Sequence, residues 1–270
     1  MKIYIVSHNA KVFPELPHFE AIQGGSAIHY RLPISGDDTK DNISARNPFY
    51  AEITPMYWVW KNTRLPKYVG FFHYRRFFNF GPDQYPESVH WSEKSFHDFS
   101  EENIARFGWD KDSIYNSVHG SDIVTPVIET VLRPPEWREA TSLYNHYDAL
   151  HHIRDLELAL EGIAKLYPEH SKVAEETIQR KEGYFCHMYI MRAEVFREYM
   201  EWLFSILFYV EQRVDLSSPL YLKEYGNQRI FGFLGERIFN IFVEISRRKG
   251  RNILEKQRLF GKLPEHYMVS

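Results

Sequence analysis

Residues 68–78, reading Y-V-G-F-F-H-Y-R-R-F-F, constrain the fold of this chain more than any other stretch. Val69, Gly70, Phe71 and Phe72 form a short apolar run of strand-forming character. His73, Arg75 and Arg76 then arrive inside an aromatic frame. Burying that run is favourable only if the imidazole and guanidinium groups at its end reach solvent or an anionic partner. In open α/β sheets, ligands bind beyond the carboxyl ends of strands. An arginine pair there suits a diphosphate, because each planar guanidinium matches two phosphate oxygens and stays charged. The alternative is an ordinary strand whose arginines solvate a sheet edge, and this stretch alone leaves both readings open.

The rest of the chain extends the same pattern. Lys2–Ser7, K-I-Y-I-V-S, reads as a buried first strand ending in a polar turn at His8-Asn9, as in the opening of a doubly wound sheet. Neither a G-x-G-x-x-G nor a Walker A motif occurs, which removes the usual support for dinucleotide or P-loop chemistry. Residues 31–48 form a polar loop crowded with Asp37, Asp38, Asp41, Asn42, Ser44 and Asn47. Such a loop can hydrogen-bond a nucleotide's base and ribose, bind a cation, or simply turn the chain. A helix is expected over about 50–62, ended by Leu65-Pro66, and a short one near 101–107 within an insertion spanning 81–112. Asp122 precedes a strand, I-V-T, stopped by Pro126. Residues 136–167 read as mostly helical, with His151 and Asp155 four apart on one side. That pair suits proton transfer, metal binding or a surface ion pair. A strand is expected over 183–192, punctuated by His187, then an aromatic core helix over 194–210. In a final apolar helix over 225–245, Gly232, Phe233 and Glu236 can approach the site, and Glu236 requires an arginine partner such as Arg229 or Arg237.

With 270 residues, the chain fits one large α/β domain or a domain with a helical annex. We read it as a single domain, 1–270, with residues 1–135 mainly nucleotide-binding and 136–270 helix-rich and acceptor-facing. The net charge of −3 argues against a nucleic-acid partner bound by bulk electrostatics. The single cysteine, Cys186, excludes an internal disulfide and a Cys-cluster metal site. The N-terminus turns polar too soon for a signal peptide, and no run reaches the roughly 18–20 apolar residues that span a bilayer. The expected location is the cytoplasm, including the inner face of its membrane. The basic tail, Arg247, Arg248, Lys249 and Arg251, offers peripheral membrane contact or is a solvated end; the second is favoured, because four charges attract a membrane only marginally. The 18 Tyr and 20 Phe can make sugar-stacking platforms, but core is their commoner use.

Several blocks resemble, in order and over nearly the whole chain, a family of bacterial glycosyltransferases from capsule, exopolysaccharide and O-antigen loci, long labelled a domain of unknown function. They are K-I-Y-I-V-S-H, the run from G-D-D-T-K-D-N-I-S through N-P-F-Y to M-Y-W-V-W-K-N, and Y-V-G-F-F-H-Y-R-R-F-F. Later come S-D-I-V-T-P, Y-N-H-Y with H-H-I-R-D-L, H-M-Y-I-M and R-I-F-G-F-L-G-E-R. The resemblance implies a GT-A-like fold: a nucleotide-sugar-binding α/β sheet flanked by helices, with a helical acceptor-side region. It implies transfer of a hexose from a nucleotide-sugar donor, a UDP-sugar with UDP-galactose as the candidate, to a growing bacterial surface polysaccharide or lipid-linked glycan. Enzymes of that fold usually hold a metal with D-x-D at the end of a central strand; here His73-Tyr74-Arg75 stands in that place. The expectation is therefore that no metal cofactor is required, with Mg or Mn as the alternative. Arg75 or Arg76 would neutralise the leaving diphosphate instead. The expected donor contacts are His8, Asp37, Asp41, Asn42, His73, Arg75 and Arg76, and the base candidates are Asp155, His187, Asp122 and Glu236. Two rival readings are a non-catalytic carbohydrate-binding or scaffolding module and a metal-dependent hydrolase built on Asp37, Asp38, His151 and Asp155.

Overall fold

The computed structural model describes residues 1–8, 13–85, 94–223 and 228–263. Asn9, part of the 81–112 insertion and the start of the expected 225–245 helix lie outside the described residues. Twelve strands are present among them: β1 Lys2–Ser7, β2 Phe19–Gln23, β3 Ser35–Gly36, β4 Tyr68–His73, β5 Arg76–Phe78, β6 Lys94–Phe96, β7 Ile123–Pro126, β8 Glu129–Thr130, β9 Glu182–Gly183, β10 Tyr189–Arg192, β11 Ile253–Lys256 and β12 Arg258–Gly261. The main sheet runs β11-β7-β10-β4-β1-β2-β3. Strands β1, β2 and β4 are parallel, and β10 lies antiparallel between β4 and β7.

Strands β1 and β4 are apolar between their polar ends because both of their faces are covered. Tyr4, Val6, Val69 and Phe71 enter one core, and Ile3, Ile5 and Phe72 enter the other. That is the period-two alternation of a strand buried on both sides. Gly70 is needed where three strands meet: a Cβ there would lie 2.9 Å from Ile190 and 3.1 Å from Ile3.

Helices cover both faces, most of them the first. Those described are α1 Asn47–Tyr50, α2 Ile53–Asn62, α3 Glu101–Phe107, α4 Lys111–Val118, α5 Leu143–Leu150, α6 Ile153–Leu166, α7 Ser171–Ile178, α8 Ala193–Glu211, α9 Pro219–Lys223 and α10 Ile230–Arg248. Helices α2, α6, α8 and α10 supply most of the larger core, while Trp109, Phe77 and Phe96 pack the smaller one. The abundant aromatics are thus largely core.

Three expectations are corrected. The 136–167 helix is two helices, broken where His151 adopts an extended backbone, φ −141°, ψ 171°. The 183–192 strand is also two: the chain leaves β9 and crosses through left-handed Cys186 and His187, φ 72° and 45°, before β10. The stretch 68–78 is a hairpin, with β4 folding back into β5 through Tyr74-Arg75. The basic tail is held internally: Arg247 and Arg248 pair with Glu244, Arg248 with Glu176, and Lys249 and Arg251 with Glu198. No helix among the described residues is long and apolar enough to cross a membrane.

Candidate functional site

A cleft of about 640 Å³ opens at the carboxyl ends of β1 and β4. Ser7 and His8 reach it from β1, and His73, Tyr74, Arg75 and Arg76 from the β4–β5 hairpin. Asn47, Ala51 and Glu52 line it from α1 and the turn into α2, Arg229 from just ahead of α10, and Phe233 and Glu236 from α10. The hairpin tip is locked from two sides: Tyr74 donates its amide to Val6 at 3.1 Å, and Gly261 of β12 donates to the Arg75 carbonyl at 2.8 Å.

Cations dominate the hairpin. The Arg75 guanidinium sits over the Tyr74 ring at 4.8 Å and donates to the Tyr74 hydroxyl. Among the described residues it has no carboxylate partner. Arg76 lies 5.7 Å over the Phe260 ring. Both arginines are half-buried, so an anion meeting them sheds water and gains strongly from the contact.

Two carboxylates face these cations, each with an arginine of its own. Glu52 accepts from Arg229 at 2.7 Å. Burial raises its carboxyl, but Arg229 and the nearby imidazoles outweigh that and hold it below the usual range. Glu236 accepts from the Cys186 amide at 2.6 Å through Oε1 and from buried Arg237 at 2.6 Å through Oε2. Arg237 in turn donates to His146 Nδ1 at 2.8 Å. The expected arginine partner of Glu236 is therefore Arg237, and Arg229 serves Glu52.

The remaining sequence candidates are placed elsewhere. Asp37 is fully buried under the 24–27 turn, where it accepts from the amides of Gly25 and Ser26 and from the hydroxyls of Ser26 and Ser44. Asp41 accepts from the Tyr57 hydroxyl, and Asn42 spans its own turn to Lys40 and Ser44. Asp122 stands at the start of β7, at the opposite end of the sheet, bound to Arg192 and the Asn252 amide. His187 is beside the cleft but sealed, with Nε2 on the Tyr199 hydroxyl at 2.6 Å.

Asp155 lies in a separate hollow of about 480 Å³, bonded to Tyr221 at 2.6 Å and His152 at 3.4 Å. Burial pushes its carboxyl up, against the pull of those two partners. The anticipated partner, His151, instead stacks on Phe233 at 4.1 Å. Asp37, Asp38, His151 and Asp155 are not brought together as the hydrolase reading needs, and among the described residues no group of three His, Cys, Asp or Glu side chains converges as a metal site.

Sequence reasoning did not name Glu52 or His29 as cleft residues. Glu52 carries one usable signal, a carboxylate at the start of an otherwise apolar helix.

The architecture is that of the GT-A-like class: a mixed sheet, helices packed on its faces, and a ligand cleft at the strand ends. A family model described as a domain of unknown function, DUF4422, matches residues 2–248, and the chain belongs to that family. A solved structure, the WbbM bifunctional glycosyltransferase in its apo form, matches with a TM-score of 0.88 and 33% identity. The match covers 100% of this chain and 47% of that one, so this chain spans about half the length of its relative. No curated protein matches the chain.

Proposed function

We propose that the chain is a glycosyltransferase that moves a hexose from a UDP-sugar, with galactose the first donor to try, onto a bacterial surface glycan or its lipid-linked precursor. The observation that carries this is the hairpin tip. Arg75 and Arg76 stand at the carboxyl ends of two parallel strands, half-buried, beside a cleft large enough for a nucleotide-sugar. The likeness to a bifunctional glycosyltransferase supports the same reading.

In this reading the donor diphosphate lies against Arg75, with Arg76 beside it. As the glycosidic C–O bond breaks, negative charge grows on the leaving diphosphate. Fixed guanidinium groups stabilise it without reorganising. They supply electrostatically what a divalent ion supplies in metal-dependent members of the fold class, and Mg or Mn remains the alternative.

The test is calorimetric binding of UDP, GDP, CMP and their sugars, with and without EDTA. UDP and a UDP-hexose are expected to bind in both conditions. Arg75→Ala should weaken UDP binding by about 10- to 100-fold, the worth of one or two charge-assisted hydrogen bonds, while the variant melts near the parent temperature. Unchanged affinity in that variant removes the phosphate role. Loss of UDP binding in EDTA replaces it with a metal. A response to none of the nucleotides would favour the non-catalytic module.

A further inference from the structure

We infer that His73 takes the proton from the attacking hydroxyl, through Nδ1, and that Glu236 is the positioning residue that keeps Nδ1 available for it. This deepens the transferase reading and rests on it.

His73 Nε2 hydrogen-bonds the Cys186 carbonyl oxygen. A carbonyl oxygen only accepts, so Nε2 carries the proton, and in the neutral ring Nδ1 is left with a lone pair. Among the described residues no group hydrogen-bonds Nδ1, and it is not one of the buried atoms lacking a partner. The residue itself lines the cleft. A lone pair there repels a phosphate oxygen and accepts a hydroxyl proton. His73 thus differs in chemistry from its neighbours Arg75 and Arg76, although the H-Y-R-R run presents all three together.

The Cys186 carbonyl is held in place by a costly piece of backbone. Cys186 and His187 are consecutive left-handed residues, φ 72° and 45°, and neither is glycine. Such conformations persist only where neighbours over-determine them. Here Glu236 Oε1 accepts the Cys186 amide at 2.6 Å, and Arg237 fixes Glu236 from the other oxygen. Gly235 leaves room for the turn: a Cβ there would lie 3.1 Å from the His187 ring and 2.4 Å from Ile53. With both oxygens engaged, Glu236 orients the turn that fixes the His73 tautomer.

The charged groups facing His73 suit a base. Burial lowers its imidazole below the usual value, as do Arg76 on β5 and Arg229 ahead of α10, so the ring is neutral at pH 7. Glu52 and the Cys186 carbonyl pull the other way and stabilise the imidazolium once formed. His187 lies on the neighbouring turn and is neutral by its own burial. In the step itself, the hydroxyl oxygen bonds to the anomeric carbon and its proton passes to Nδ1. The anomeric C–O bond breaks with its electron pair leaving on the nucleoside diphosphate, beside Arg75.

The experiment compares wild type, His73→Gln and Glu236→Ala, with UDP-galactose as probe and release of UDP to water as the readout. Gln retains a donor near the position of Nε2 but offers no basic nitrogen. His73→Gln should bind UDP within about threefold of wild type and lose about 100-fold or more in kcat, the usual worth of a general base. Wild-type kcat should fall on the acid side as His73 protonates, and the variant should lack that limb. Glu236→Ala should lower kcat more than it raises KM, and ¹⁵N spectra should show the His73 tautomer becoming mixed, where wild type shows Nε2 protonated.

A His73→Gln rate within fivefold of wild type overturns the inference, as does a loss confined to KM. An acid limb that persists in His73→Gln assigns the base to Glu52 instead. Nδ1 protonation in the wild-type spectrum also overturns it, whatever the activity. Failure of wild type to bind UDP at all marks the failure of the transferase reading itself.

Discussion

His73 sits on the Cys186 carbonyl, one residue before His187, yet the two histidines have opposite fates. His187 is 1% exposed and bonded to Tyr199. Burial drives its imidazole down to about 4, against the opposing pull of Glu52 and Glu236. A group whose folded value lies below its ordinary 6.5 leaves the unfolded chain binding more protons between those values. Its stabilising contribution is therefore full above pH 6.5 and is lost as pH falls toward 4. The loss amounts to at most about 3 kcal/mol, at 1.36 kcal/mol per unit. Urea midpoints measured at pH 7 and pH 4.5 should show wild type losing stability over this window. His187→Asn should lose less, leaving the contributions of His18, His73 and His170, whose imidazoles are also lowered first by burial. An identical acid loss in both proteins would mean that His187 is protonated when folded. In sequence the two histidines look alike, each a polar residue interrupting an aromatic strand. What separates them is Tyr199 on α8 and the Cys186 carbonyl, partners supplied by distant segments. Asp122 and Asp155 were illegible for the same reason: Asn252 and Tyr221, which satisfy them, lie far away in the chain.

Helix α10 carries a different element of the design at each end. Its first turns present Gly232, Phe233 and Glu236 to the cleft, and its last turn brings Arg247 and Arg248 onto Glu244. Glu244 accepts from Arg180 at 2.8 Å and from Arg247 and Arg248 at 3.0 Å each. Burial would raise its carboxyl, but the three arginines hold it at about 2. The stability this provides is present above pH 4.5 and lost as pH falls toward 2. Glu244→Gln should cost about 1–2 kcal/mol at pH 7, a value kept small because the arginines are roughly two-fifths exposed. The difference from wild type should shrink when the urea midpoints are measured near pH 2.5. A constant difference would make the cluster a matter of packing alone. The helix itself was legible, since its apolar residues recur at helical spacing. The break between α5 and α6 was not. Both flanks favour helix, and His151 is extended while its ring stacks on Phe233 of α10, a tertiary contact that local propensity does not encode.

At the scale of the whole molecule, the sheet interleaves the two halves that the sequence suggested. Strand β10, from the second half, lies between β4 and β7 from the first, and β11 flanks β7. Strand β12 pairs with both β5 and β6 and anchors the Arg75 carbonyl through Gly261. The long buried strands β1 and β4 announce themselves as apolar runs. The short strands β2, β11 and β12 carry too few residues for a period to show, and their pairing is fixed only when the cores close. A boundary at residue 135 would strip β4 of its β10 neighbour and open the smaller core, which draws Met188, Ile190 and Leu259 from beyond it. The full chain should therefore unfold in one transition, with far-ultraviolet and tryptophan signals superimposing in urea, because neither part keeps a closed core alone. A fragment of residues 1–135 should show no cooperative melt and should bind ANS through its exposed strand faces. UDP at 100 times its dissociation constant should raise the single transition of the whole chain by about 2.7 kcal/mol, since cleft residues come from β1, the β4–β5 hairpin and α10 alike. Two separate transitions, with UDP shifting only the first, would instead define the first 135 residues as a domain in their own right.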